Sequence, residues 1–368
     1  MEDFSPKSRW GARYASDMVQ SRKSRSKPQP LQDHSGELAL LRAIRARTAE
    51  SAPGGNSRVR LGIGDDCALL KLRPGDELAV TTDLSIEGRH FRLDWHPPES
   101  VGHRTLARGL SDLAAMGARP VAAFLSLGLP KELTVASGSS KPWPKTWVER
   151  FFDGLLALAA EHGVPLAGGD LAESPIAVAD IVLTGAVPRG KALLRSGARP
   201  GDQIYVTGSL GGAAAELAAL SASPQSFAQA INSSKTSPHL YPQPRIAQGL
   251  QLRKKGLASA AMDLSDGLST DLARLCAESG VAAEVFASAL PLGHGATLAM
   301  ALHGGEDYEL LFTAPSSAKL PRTLGGVGVT AIGRILKAKA RKPKVSLVTE
   351  AGSEALQPSG WEHFSESR

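Results

Sequence analysis

Acidic residues recur beside glycine where apolar runs end: Asp65 and Asp66 in "GIGDDCALL", Asp83 in "AVTTDLS", Asp112 in "LSDLAAMG", Asp170 in "AGGD", Asp263 and Asp266 in "MDLSDG", and Glu306 and Asp307 in "GGEDYE". Singly, each reads as a turn or cap residue, because Asp and Gly dominate turns and Asp caps helices. As a set they imply more. Strand ends of α/β folds converge on one crevice, and several carboxylates there repel one another unless cations neutralise them. Mg²⁺ is the natural cation, since it binds a few carboxylates and fills its remaining positions with water or phosphate. Glycine beside the ligands lets backbone N–H groups approach a phosphate. The pattern therefore points to a polyanionic substrate bridged by metal. Histidines are sparse, the two cysteines, Cys67 and Cys276, lie outside any CxxC spacing, and "GGEDYE" lacks the spacing of an EF-hand loop, so zinc and calcium sites are not indicated.

The elements that must position these residues are legible in outline. "RVRL", "ELAV", "PVAAFLSLGLP", "VPLAGGDLAES", "IAVADIVLTGAVP", "QIYVTG" and "AAMD" read as strands. Residues 101–117 read as a helix with Leu106, Leu110, Leu113 and Ala114 on one face and Asp112 inside it, stopped by Gly117. "WVERFFDGLLALAAEHG", "GGAAAELAAL" and residues 246–252 read as further helices. The one that ends near Cys276 buries Leu268, Leu272, Leu275 and Cys276, and Asp271 favours the positive end of its dipole. Strands and helices alternate without strict βαβ regularity, which predicts two mixed α/β domains, 36–188 and 189–368, after a basic tail over 1–35. Segments 136–146 and 221–240 are polar loops.

Two nucleotide-loop lookalikes fail on chemistry. "GAVPRGKA" matches GxxxxGK but puts Ala192 where a P-loop needs a hydroxyl for Mg²⁺. "YVTGSLGGAAAEL" reads GxxGG rather than GxGxxG, so tight packing is the expected reason for its glycines. Composition sets the remaining bounds. The 368 residues are 42% hydrophobic and carry a net charge of +6, enough chain for two cores. Seven Lys/Arg against four acids in residues 1–35 mark a tail expected to be disordered, with a nucleic-acid-binding arm as the alternative. No apolar run approaches the roughly 20 residues that span a bilayer, and cysteine usage fits a reducing compartment, so a cytoplasmic protein is expected.

Taken together, "GIGDDCAL", "TTDLSIEGRHF", "LSDLAAMGA", "AGGD", "LLRSGARPGD", "MDLSDGLSTDL", "GGEDYELLF" and the final "GWEHF" resemble the thiamine-monophosphate kinase family, of the aminoimidazole ribonucleotide synthetase-like superfamily. The resemblance runs in order from about Gly36 to Phe364. It implies a two-domain α/β fold whose N-terminal sheet pairs across a homodimer, and transfer of the ATP γ-phosphoryl group to thiamine monophosphate with several Mg²⁺. By motif it implies that Asp66, Thr81, Thr82, Asp83, Asp112, Asp170, Asp263 and Asp266 hold Mg²⁺. Gly169, Asp170, Arg195 and Ser265 would contact ATP, and His90, Glu306 and Trp361 the thiamine phosphate. On residue type alone, His90 serves equally as a polar packing residue and Trp361 equally as core. A selenophosphate synthetase-like enzyme is the alternative within the superfamily, and it would be expected to carry a reactive cysteine in a glycine-rich N-terminal segment. The first cysteine here is Cys67, at the apolar end of "GDDCALL".

Overall fold

A computed structural model describes residues 37–50, 58–135, 145–224, 237–339, 345–362 and 364. The basic tail 1–35, and most of the polar segments 136–146 and 221–240, lie outside the described residues. The chain divides into Met1–Ala43 and a compact unit, Ile44–Arg368. The first described element is helix α1 (Glu37–Glu50).

The larger unit opens with a short hairpin, β1 (Val59–Leu61) and β2 (Leu69–Leu70), whose connecting loop carries Asp65 and Asp66. A four-stranded sheet follows, built from β3 (Asp76–Ile86), β4 (Arg119–Leu129), β5 (Leu166–Glu173) and β6 (Val178–Pro188). Its order is β3-β6-β4-β5, with β4 and β5 parallel and the other pairs antiparallel. Strand alternation sorts β3 cleanly. Ala79, Thr81, Asp83 and Ser85 face inward, while Leu78, Val80, Thr82 and Leu84 are exposed on the outer face of this edge strand.

Two helices cover the inner face, α2 (Pro98–Ala115) and α3 (Trp147–Glu161). Thr146 and Glu149 form a reciprocal capping box that starts α3, satisfying two backbone donors that the helix cannot. Helix α2 is buried almost all round, so its sequence lacks the clean polar stripe of a surface helix. That burial marks it as the central element of the unit.

The second half holds β7 (Gln203–Thr207), α4 (Gly212–Ala222), α5 (Ile246–Lys255), β8 (Ala260–Asp263), α6 (Leu268–Ser279), β9 (Val281–Phe286), α7 (Leu298–His303), β10 (Leu310–Ala314) and β11 (Thr323–Leu324). Strands β12 (Val327–Lys337), β13 (Val345–Thr349) and β14 (Gly352–Ala355) complete it. The sheet runs β14-β13-β9-β12-β7-β10-β8, with β11 on β12, and only β13 and β9 pair in parallel. Leu268, Leu272, Leu275 and Cys276 of α6 are buried against Ile204, Val206 and Met262, as the periodicity predicts. Each such leucine contributes roughly 1.5–3 kcal/mol by burial. Helix α2 packs on β3, β6 and α3 in its own half and on α5 and β8 of the other, so it spans the seam between the halves. Among the described residues no helix is long and apolar enough to cross a membrane.

Candidate active site

Three elements bring three carboxylates together at that seam: Asp83 from β3, Asp112 from α2 and Asp263 at the end of β8. Thr81 Oγ1 donates to Asp112 Oδ2, and Ser111 Oγ donates to Asp263 Oδ2 at 2.8 Å. Arg108, one turn before Asp112 on α2, donates to Asp83 Oδ1 at 3.1 Å. Among the described residues it is the only guanidinium bonded to any of the three.

Electrostatics show what the trio lacks. Burial, then the neighbouring Asp112, push Asp263 up to about 8, against the Ser111 hydrogen bond. Burial likewise raises Asp83 to about 6, although Arg108 opposes it. Asp112 is raised by burial and held back by the Thr81 hydroxyl and the charge of Arg195. Carboxylates this crowded and dehydrated favour protonation until a cation arrives. Among the described residues no three His, Cys, Asp or Glu side chains form a ready-made cage for a metal ion. The carboxylate oxygens of Asp83, Asp112 and Asp263 are the hard donors that Mg²⁺ takes, with its remaining positions on water and phosphate.

The other expected metal and ATP residues lie on several separate elements. Thr82 sits on the opposite, exposed face of β3 from Thr81 and Asp83. Asp66 is exposed in the β1–β2 loop, and Asp170 is exposed on β5, its Oδ1 accepting the Leu171 N–H at 3.0 Å. Gly169 has φ 148°, and a Cβ there would fall 1.9 Å from the Leu125 carbonyl oxygen, so the approach of β5 to β4 itself demands glycine. Arg195 is exposed, and its carbonyl accepts from Ser279 Oγ at 2.7 Å.

Ser265 and Asp266 lie in the loop from β8 to α6, and Asp271 organises that loop. Its Oδ2 accepts the N–H groups of Ser265, Asp266 and Gly267 at 3.2, 3.0 and 3.1 Å, beyond the dipole role expected from sequence. Arg274 ties Asp271 to Asp266. The C-terminal segment closes over the same loop: the Trp361 N–H donates to the Asp266 carbonyl at 3.0 Å, and the Gly360 N–H to Thr270 Oγ1 at 3.0 Å. Trp361 itself is 49% exposed beside Asp266.

The "GGED" loop runs alongside, with Glu306 N–H donating to the Ser265 carbonyl at 2.8 Å and Tyr308 N–H to the Leu264 carbonyl at 2.9 Å. Glu306 and Tyr308 adopt φ 68° and 49°, a left-handed conformation that costs roughly 1–3 kcal/mol per non-glycine residue. Asp307 caps α4, accepting the Gly211 N–H at 2.7 Å and the Ala213 N–H at 3.3 Å. That carboxylate takes the donors a nucleotide phosphate would need at the GxxGG turn. A Cβ on Gly211 would lie 2.6 Å from the Ala301 nitrogen, so tight packing does explain that glycine. The GxxxxGK lookalike lies largely in β6, and no helix follows it.

Toward the start of α2, along the face that carries Asp112, a pocket is lined by Ser85, His90, Phe91, Arg104 and Arg108 among others. The Ile86 N–H donates to His90 Nδ1 at 3.1 Å, which leaves Nε2 as the protonated nitrogen. Glu306 receives Arg104 Nη2 at 2.5 Å. Burial alone would raise Glu306, but Arg104 and His239 outweigh it and hold its carboxyl well below the usual range. Sequence reasoning did not single out Arg104, Arg108, Ser111 or His239. The one available signal was the i, i+4 spacing of Arg104, Arg108 and Asp112 along one helix face.

Known proteins match this arrangement along nearly its whole length. Residues 64–192 match the family described as AIR synthase related protein, N-terminal domain, and residues 199–345 its C-terminal domain. A thiamine-monophosphate kinase of Salmonella typhimurium is 38% identical over 341 residues, covering 89% of this chain and 98% of the relative. The crystal structure of thiamine-monophosphate kinase from Stenotrophomonas maltophilia K279a superposes with a TM-score of 0.68 at 36% identity, covering 86% of this chain and 96% of the other. AaThiL, solved in complex with AMPPCP and TMP, superposes with a TM-score of 0.63 at 28% identity, covering 92% of this chain and 100% of the other. With that identity over that length, the chain belongs to the thiamine-monophosphate kinase family, on the AIR synthase related fold.

Proposed function

We propose that the chain transfers the γ-phosphoryl group of ATP to the phosphate of thiamine monophosphate, giving thiamine diphosphate and ADP, with Mg²⁺ as cofactor. The observation that carries this reading is the trio Asp83, Asp112 and Asp263, drawn from both halves and buried with less positive charge than it needs. Its donors are hard oxygens, which suits Mg²⁺. Asp66, Thr81, Thr82, Asp83, Asp112, Asp170, Asp263 and Asp266 are its proposed holders, directly or through water, Thr82 by its main chain because its side chain lies on the outer face. Bound there, Mg²⁺ supplies the charge neutralisation that a loose phosphoryl-transfer transition state requires.

The chain's own residues orient the two phosphates. Gly169, Asp170, Arg195 and Ser265 are assigned to ATP, and His90, Glu306 and Trp361 to thiamine phosphate. The Asp271 carboxylate holds the Ser265–Gly267 backbone in place beneath the seam, which fixes the in-line approach on which the rate depends. No general base is assigned, because a phosphate oxygen is already deprotonated near neutral pH. The Trp361 ring, anchored through its backbone to Asp266, suits stacking on a flat cationic ring. Leu78, Val80 and Leu84, exposed together on edge strand β3, support pairing of the first sheet across a homodimer. Neither a membrane nor a nucleic acid is assigned as a partner. The test is an assay with ATP, Mg²⁺ and thiamine monophosphate, scored for thiamine diphosphate. Product forms on this reading, and a folded protein that yields none removes it.

A further inference from the structure

Arg104 of α2 is 4% exposed, and three separate segments meet at its guanidinium. It donates to Glu306 Oε1 at 2.5 Å, to the His90 carbonyl at 3.3 Å and to the His239 carbonyl. His239, 1% exposed, is itself held by a backbone N–H to Glu216 Oε2 at 2.8 Å. Its ring bridges two partners. Nδ1 lies 3.3 Å from Glu306 Oε2, and Nε2 lies 3.0 Å from Nε2 of His96.

Two ring nitrogens facing each other at this distance share one proton, so one ring must donate and the other accept. His96 Nδ1 lies 3.1 Å from the Arg92 N–H and 3.2 Å from the Arg92 carbonyl, so His96 accommodates either tautomer and follows the one His239 takes. Glu306 Oε2 can only accept, so beside it His239 carries its proton on Nδ1 and accepts on Nε2. Arg104 Nη1, which carries two hydrogens, also lies 3.1 Å from that Nδ1 and donates one of them to the His239 carbonyl. Burial first, then the Arg104 charge, hold both rings below the usual histidine range, so both are neutral as this arrangement requires.

We propose that His239 is a positioning residue of the thiamine-phosphate pocket: it donates from Nδ1 to Glu306, sharing that carboxylate with Arg104, while its Nε2 accepts from His96. The proposal rests on the reading that Glu306 and His90 face thiamine monophosphate. Each carboxylate oxygen keeps lone pairs for a substrate donor, and the Glu306 side chain is 25% exposed. Arg104 and His239 leave it one orientation, so substrate need not order it.

The experiment compares steady-state kinetics of the wild type with His239→Ala, His239→Asn and His239→Gln. An Asn amide nitrogen can stand where Nδ1 stands, whereas a Gln amide nitrogen reaches only toward Nε2. His239→Ala is expected to raise KM for thiamine monophosphate about ten- to a hundred-fold, the loss expected of a hydrogen bond to a charged group. KM for ATP should hold, His239→Asn should recover most of the loss, and His239→Gln should not. Equal losses in all three variants, an unchanged KM in His239→Ala, or an equal rise in KM for ATP would overturn the proposal. Nitrogen-15 NMR of the wild-type histidines supplies a second reading that needs no variant to fold. Protonated Nδ1 on His239 and protonated Nε2 on His96 are expected, and the reverse pair contradicts the proposal. A wild type inactive toward thiamine monophosphate would count against the functional reading alone, and the tautomers would still be decided by NMR.

Discussion

Helix α2 has two acidic neighbourhoods, and they accommodate a buried carboxylate in opposite ways. Around Asp112, three carboxylates meet one guanidinium, and burial drives Asp263 up to about 8. Around Arg104, a single carboxylate meets a guanidinium and a histidine, and Glu306 is held below its usual range. Charge that the chain supplies marks a group built to stay put. Charge that it withholds marks the place where a ligand completes the structure.

Neutralising one member of the deficient trio should cost catalysis without costing the fold. Asp263→Asn is expected to cut kcat about a thousand-fold or more at fixed Mg²⁺, on the scale of lost transition-state electrostatics. Its melting temperature without Mg²⁺ should equal or exceed that of the wild type, because Asn removes the cost of protonating a crowded, buried carboxyl on folding. A large drop in melting temperature would mean that the trio stabilises the fold, and the contrast between the two neighbourhoods would dissolve.

The paired neighbourhood should respond the other way. Arg104→Met leaves the partly exposed Glu306 without its guanidinium and should lower stability by about 1.5–3 kcal/mol in chemical denaturation. Adding Glu306→Gln to it should restore part of the loss. Denaturation indistinguishable from the wild type would show that the pair is not a structural unit.

The smallest effect is a pH dependence with a definite sign. Asp83 and Asp263 have folded-state values raised to about 6 and about 8, so the folded chain binds more protons than the unfolded one above pH ~4. Without Mg²⁺, their contribution makes stability fall as pH rises from about 4 to about 8. Mg²⁺ should flatten that decline. Melting curves across this range, with and without the ion, check both the sign and the flattening.

Local chemistry was readable along the chain, and long-range pairing was not. Asp83, Asp112 and Asp263 stood out because each sits in a short motif beside glycine or a strand end. The α6 leucines declared their face by spacing alone. Strand alternation also carried information that motif matching passed over: Thr81 and Asp83 share a face that excludes Thr82. Arg104 and Arg108 were hidden because a helix buried on nearly every side has no polar stripe to contrast with them. Ser111 meets Asp263 across 152 positions, and no local pattern foretells that hydrogen bond. His239 lies in a polar loop, where a histidine looks ordinary until the fold sets it against Glu306.

The central claim is that Asp83, Asp112 and Asp263 form a site completed by a divalent cation. Its most direct test is Mg²⁺ binding by calorimetry, with a non-hydrolysable ATP analogue bound, in the wild type and in Asp263→Asn. The account predicts that the substitution weakens Mg²⁺ binding about tenfold or more, on the scale of one lost charge-assisted contact. Equal Mg²⁺ affinity in the two proteins would contradict it.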